Sequence, residues 1–157
     1  MEQTRAQALI GAYDLEQHPE GGWFSEVFTS AEGCEREGDF REFSGSIYFL
    51  LSEGDISHFH QIDCEELWYY HEGCGLRMHI VDRQGRYRTE KLGNDFAGGE
   101  KPMILLKKGE IFAAENLSTE GYTFISCVTT PKFRYSGFRL VPKEELQNEA
   151  LPERLFL

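Results

Sequence analysis

SHFHQIDCEELWYYHEG, Ser57 to Gly73, gathers His58, His60 and His71, the acids Glu65 and Glu66, Trp68 and two tyrosines, in a chain that has five histidines in all. SHFHQI (57–62) and ELWYYH (66–71) within it read as two strands rich in β-branched and aromatic residues, with the two-residue period of an extended chain. Successive side chains of a strand take opposite faces, so His58 and His60 are expected on one face and Phe59 and Gln61 on the other. The next strand offers two registers. Either Glu66, Trp68 and Tyr70 face inward, or Glu65, Leu67, Tyr69 and His71 do, and the pattern alone leaves the choice open.

Outward from this stretch the same period recurs. WFSEVF (23–28), SIYFLL (46–51), LRMHIVD (76–82), YRTEKL (87–92), MILLKK (103–108), IFAAEN (111–116) and YTFISCVTT (122–130) are rich in β-branched and aromatic residues. The turn signals SEGD, EGCG, DRQG, GND, AGGE, KKGE and STEG separate them. Many short strands at this spacing specify an all-β sandwich or barrel. Ala6, Leu9, Ile10 and Tyr13 instead fall on one stripe of a helix running from near Thr4 to Tyr13. In HPEGG (18–22), Pro19 forces His18 out of helical geometry and two glycines admit a tight turn, read as a cavity rim or a dimer contact carrying Glu20. SAEGCEREGDF (30–40) is expected to be an exposed, mobile loop. PKEELQNEAL after Val141 opens like a helix, with proline first and acids behind it. No linker or repeat divides residues 1–157, so one domain is expected.

The net charge of −11, from 27 acidic against 16 basic residues, disfavours nucleic acid and anionic membrane as partners, because both need a concentrated positive face. Lys107-Lys108 and the trio Arg83, Arg86 and Arg88 are short groupings read as solvated strand edges. Cys34, Cys64, Cys74 and Cys127 stand apart with no C-x-x-C pair, and the N-terminus lacks a secretory pattern. Reduced thiols in the cytoplasm follow, and no apolar run is long enough to span a membrane.

The spacing G-x3-H-x-H-x5-E-x6-G, from Gly54 through His58, His60 and Glu66 to Gly73, resembles the first motif of the cupin superfamily. KKGEIFAAEN resembles the second motif, P-x-G-x2-H-x3-N: Gly109 and Asn116 match, Lys107 replaces proline and Phe112 takes the histidine position. HPEGGWF, IYFLL, FHQIDCEELWYYHEG, GEIFAAEN and SCVTTPKF resemble, in order, the small cupins of the cupin-5 type over about residues 14–140. The resemblance implies a double-stranded β-helix, or jelly roll, with short N- and C-terminal helices, a ligand cavity in the barrel mouth and a homodimer. It also selects the register that turns Glu66, Trp68 and Tyr70 inward.

Departures from the motifs shape the functional expectation. A metal-bearing cupin draws three histidines and a glutamate from the two motifs, and phenylalanine at position 112 cannot ligate. A set of His58, His60 and Glu66 remains for a divalent metal, which would suit an oxygenase or isomerase. The preferred expectation needs no cofactor: a small polar organic ligand of the sugar or keto/hydroxy acid type, with metal-independent proton transfer beside a carbonyl. His60 is then the base, Glu66 its orienting partner and Tyr48 or Tyr70 the acid, while His58, Trp68, Phe112 and Glu20 line the ligand site. Cupins that epimerise dTDP-4-keto-6-deoxy sugars resemble this plan, but a diphosphate needs cations, for which Arg36, Arg41 and Arg77 are the candidates. A non-catalytic ligand-binding or storage-type cupin is the third reading. Trp68, Tyr70 and Phe112 would also serve as packing, and His71 and His79 are expected to face outward or pack.

Overall fold

The computed structural model describes residues 3–157. After helix α1 (Arg5–Ala12) come strands β1 (Glu16–Gln17), β2 (Trp23–Thr29), β3 (Gly33–Arg36), β4 (Asp39–Glu42), β5 (Gly45–Leu51), β6 (Ile56–Ile62) and β7 (Glu65–Gly73). They are followed by β8 (Leu76–Val81), β9 (Tyr87–Leu92), β10 (Glu100–Lys101), β11 (Met103–Leu106), β12 (Ile111–Asn116), β13 (Thr123–Thr130) and β14 (Phe138–Leu140). Twelve of the strands form two six-stranded sheets, antiparallel except for the β9–β10 pair and ordered β1-β2-β5-β13-β7-β11 and β10-β9-β8-β12-β6-β14, while β3 and β4 pair with each other. From β5 to β8 each strand crosses to the opposite sheet, as a jelly roll requires.

The inner faces meet in one core containing Phe49, Leu51, Trp68, Leu76, Met78, Ile80, Ile104, Leu106, Phe112 and Ile125. Each of these alternates with residues pointing outward, so the two-residue period places them together. Glu66, Trp68 and Tyr70 do face inward, as the motif resemblance implied, and His71 faces outward beside Tyr48 and Phe124. Two outer faces are also covered. Helix α1, closed by a capping box in which Thr4 and Gln7 bond reciprocally, lays Ala6 and Leu9 on Leu50 and Phe124. The C-terminal tail lays Val141, Leu151 and Leu155 on Phe59, Val81, Ile111 and Ala113.

Two expectations need correction. Residues 30–40 are not a loose loop: β3 and β4 form a hairpin, and its turn places Glu37 and Gly38 at φ +53° and +79°, the left-handed pair that a two-residue hairpin favours. The tail makes only single 3-10 turns at Lys143–Glu145 and Glu153–Leu155. Its apolar residues are spaced to touch the sheet along an extended path, and Pro152 interrupts any longer helix.

Two positions of the second motif prove to be scaffolding. The Asn116 amide donates to the carbonyls of Leu51, Ser52 and Gly121 and accepts from Thr123 Oγ1, tying β12 to the ends of β5 and β13. Gly109 sits at φ +88° in the turn before β12, where a side chain would be strained.

Candidate functional site

Between the sheets the core gives way to a cavity of about 410 Å³. Phe24, Phe49, Ile62 and Trp68 supply apolar wall, His60, Glu66 and Cys127 the floor, and the segment Lys132–Tyr135, which follows a cis Thr130–Pro131 bond, one lip. HPEGG forms the other lip and contributes His18 and Glu20. It docks by continuing the β6 edge beyond β14: the His58 N–H donates to the Glu20 carbonyl at 2.8 Å. Gly21, at φ +106°, is required there because a Cβ would lie 1.9 Å from the Ile56 carbonyl oxygen.

The polar centre is the contact of His60 Nε2 with Glu20 Oε2 at 2.9 Å. Glu20 Oε1 accepts from Ser57 Oγ at 2.8 Å, and His60 Nδ1 donates to the His58 carbonyl at 2.7 Å. Burial opposes both charges, yet the Glu20 charge and hydrogen bond outweigh it and hold the His60 imidazole above its ordinary value. The same pairing keeps Glu20 below the ordinary carboxylate value. The two therefore form a buried imidazolium–carboxylate pair. His18 is different: its Nδ1 accepts from the Glu20 N–H at 3.2 Å, and burial pushes its pKa down, so it sits as a neutral ring edge-on to Phe24.

Glu66 lines the same floor, 7% exposed. Burial first and the Glu20 charge second push its carboxyl up from 4.5 to about 7, against weaker help from His60, Cys127 and Trp68. The Trp68 indole N–H, although beside Glu66, makes no hydrogen bond among the described residues.

The site thus differs from the sequence expectation in five respects. The orienting partner of His60 is Glu20, not Glu66. His58 leaves the cavity face, because β6 carries a bulge: Phe112 pairs with His60 and Ala114 with Ser57, which puts one extra residue on β6. Ser57 thereby joins His60, and His58 turns its Nδ1 to the Glu20 carbonyl. Tyr48 lies on the outer face under α1 with Leu9 and Phe124. Tyr70 faces the core but donates its hydroxyl to the Gly73 carbonyl and does not line the cavity. Phe112 stands behind the cavity wall, its ring 4.2 Å from that of His60.

Of the arginines considered for a diphosphate, Arg41 is held by Asp63 and the Lys132 carbonyl, and none of Arg36, Arg41 and Arg77 lines the cavity. Sequence reasoning missed His18, Lys132 and Arg134. HPEGG and TTPKF stood out as segments, but nothing local to them shows which strand they dock against. His79 is a buried packing residue between Tyr87 and Glu115.

The sequence matches the family described as Cupin superfamily (DUF985) over residues 7–141. The chain belongs to the cupin superfamily. Protein SO0799 from Shewanella oneidensis superposes on this cupin with a TM-score of 0.89 at 33% identity, covering 100% of this chain and 99% of that one. The yeast uncharacterized protein YML079W (Saccharomyces cerevisiae) is 27% identical over 94% of this chain and 81% of its own length. An oxalate decarboxylase of Bacillus subtilis shares the fold at a TM-score of 0.54 and 22% identity, over 73% of this chain and 26% of that one.

Cupins commonly hold a metal, but the residues of this cupin do not fit one. Position 112 is phenylalanine, His58 is turned away, and both His60 nitrogens are committed to Glu20 and the His58 carbonyl. Among the described residues no group of three or more His, Cys, Asp and Glu side chains is arranged for an ion. No helix of the described residues is long and apolar enough to cross a membrane.

Proposed function

We propose that the barrel of this cupin binds one small polar organic molecule of about monosaccharide size, and that Glu66 exchanges a proton with it beside a carbonyl group. The supporting observation is the placement of Glu66: a carboxyl with no ion pair of its own, on the floor of a 410 Å³ cavity, titrating at about 7. Such a group is part protonated near neutrality, so it can give a proton to a carbonyl oxygen or take one from the adjacent carbon. His60 starts as an imidazolium with both nitrogens hydrogen-bonded, and therefore lacks the lone pair a base requires. Its role is structural: with its charge balanced by Glu20, it fixes that carboxylate, and the lip that carries it, against the floor beside Glu66. Ser57 holds the other oxygen of Glu20.

The reaction class is a metal-independent isomerisation or epimerisation. Its test is solvent exchange: candidate sugars and keto compounds incubated in D2O and followed by proton NMR at the carbon next to the carbonyl. Exchange by the wild type, lost at least a hundredfold in Glu66→Gln with binding retained, is expected; exchange undiminished in Glu66→Gln removes Glu66 from the chemistry. The committed nitrogens of His60 favour one second reading, a non-catalytic binding cupin. Ligands that bind with no exchange would establish it.

We also infer a homodimer in a reducing compartment such as the cytoplasm. β1 pairs only with Trp23 and Phe24 of β2, which leaves the rest of that edge without a strand partner among the described residues, with Val27 and Phe28 46% and 54% exposed. All four cysteines are unpaired and two are buried. Light scattering at micromolar concentration should give twice the chain mass, and a monomer would remove the dimer.

A further inference from the structure

We propose that the guest of this cavity is a cation: a small amine or quaternary ammonium compound, not a carboxylic acid or phosphate ester. The inference rests on the binding reading above and adds to it the charge class of the ligand.

Four carboxylates line the cavity, Glu16 and Glu26 toward the mouth and Glu20 and Glu66 deeper. The two cationic side chains that share the lining are both engaged. Lys132 Nζ lies 2.9 Å from Glu26, and Arg134 is bound to Asp39, Glu42 and the Phe40 carbonyl. Deeper in, the His60 charge is balanced by Glu20. That leaves Glu66 as the buried carboxyl without a counter-ion, and any anion reaching the floor would meet it and find no free cation to pair with. A cation meets the opposite: a carboxylate to pair with, inside a wall built largely of rings.

Phe24, Phe49, Trp68, Phe133 and Tyr135 all line the same space, and aromatic faces attract a desolvated ammonium.

Two shape-matched sets of probes test the assignment by calorimetry at pH 7: D-glucosamine, D-glucose and D-glucuronate, and choline, 3,3-dimethyl-1-butanol and 3,3-dimethylbutanoate. In each set that binds, the cation is expected to bind about tenfold tighter than the neutral analogue, the size of a buried cation–π and charge contact, and the anion no tighter than the neutral one. In Glu66→Gln the cation's advantage should shrink to about threefold or less, with the neutral probe within about twofold of its wild-type affinity. An anion binding tightest in either set, or a cation preference undiminished in Glu66→Gln, overturns the charge assignment while leaving the binding reading intact. Failure of all six probes to bind folded wild-type protein counts against the binding reading itself, and this inference falls with it.

Discussion

Replacing Glu66 by glutamine should make the ligand-free protein more stable at alkaline pH and leave it little changed in acid. The carboxyl has an ordinary value of 4.5 and is pushed up to about 7 in the folded chain by burial and by the Glu20 charge. Between those values the folded state keeps a proton that the unfolded state has lost, so folding becomes less favourable as pH rises through this window. Moving a carboxyl from 4.5 to about 7 corresponds, at about 1.4 kcal/mol per pH unit, to about 3 kcal/mol lost by pH 8. Glutamine has the same size and cannot ionise. Any hydrogen bond it gains or loses shifts stability by a constant at every pH, so the informative quantity is how the difference between the two proteins changes with pH. Urea unfolding from pH 4 to pH 8 should show that difference growing by about 2–3 kcal/mol in favour of the variant. The variant keeps a shallower decline of its own, because His60, held above its ordinary 6.5, contributes stability that is complete below 6.5 and lost as pH rises through its folded value. A difference between the two proteins that stays constant from pH 4 to pH 8 would refute the assignment of an uncompensated, ionisable Glu66.

Three further outcomes follow from the geometry. Glu20→Gln removes one member of a buried ion pair, which costs about 3–5 kcal/mol; the His60 ring, opposed by burial and left with only the His58 carbonyl and Glu66 to favour its charge, should titrate lower than in the wild type when followed by NMR, and an unchanged titration would separate the two residues. Gly21→Ala places a Cβ 1.9 Å from the Ile56 carbonyl, whereas Gly54→Ala, at φ +75°, meets nothing within 4 Å. The second should cost about 1–2 kcal/mol for its left-handed backbone alone, and the first clearly more, with ligand binding weakened because HPEGG carries Glu20; equal costs would mean that the lip is not pinned by this contact. Asn116→Ala removes an amide that bonds three carbonyls and the Thr123 hydroxyl; the Ser52 carbonyl keeps the Asp55 N–H and the Thr123 hydroxyl keeps the Gly75 carbonyl, so thermal or urea unfolding should register a loss of about 1–3 kcal/mol, while ligand affinity, measured below the unfolding transition, stays within about twofold because Asn116 is not among the cavity-lining residues.

The architecture was legible in the sequence because its cause is local. A two-residue period sorts Trp68 from Leu67 and Phe112 from Ile111 whatever their distant neighbours are, and the likeness to the cupin motif, with Gly73 after Glu66, selected which of the two registers faces inward. The site was legible only in part, because its decisive features are not periodic. A bulge in β6 exchanges Ser57 for His58 on the cavity face, and alternation counted along the strand cannot reveal a residue inserted relative to a partner strand fifty positions away. Glu20 reaches His60 from a turn thirty-eight residues before His58, through a hydrogen bond to the Glu20 carbonyl that depends on the whole barrel being closed. The hairpin at 33–42 was hidden by its polar composition, since both its faces are largely exposed and no apolar alternation is needed.

These features explain one another. With phenylalanine at 112, the His60 ring packs edge-on against an apolar neighbour and must find its polar partner elsewhere. The bulge removes His58 and brings in Ser57, whose hydroxyl supports a carboxylate but adds no second imidazole to the floor. HPEGG then supplies that carboxylate, so the histidine charge is balanced from the lip of the cavity and not by a bound ion. Glu66, which the motif spacing would make a partner of His58 and His60, is thereby released: it keeps its place on the floor and loses its counter-charge. The same residue pattern that unsuits this barrel for a metal therefore creates the ionisable, unpaired carboxyl on which charge selection and proton exchange are proposed to depend.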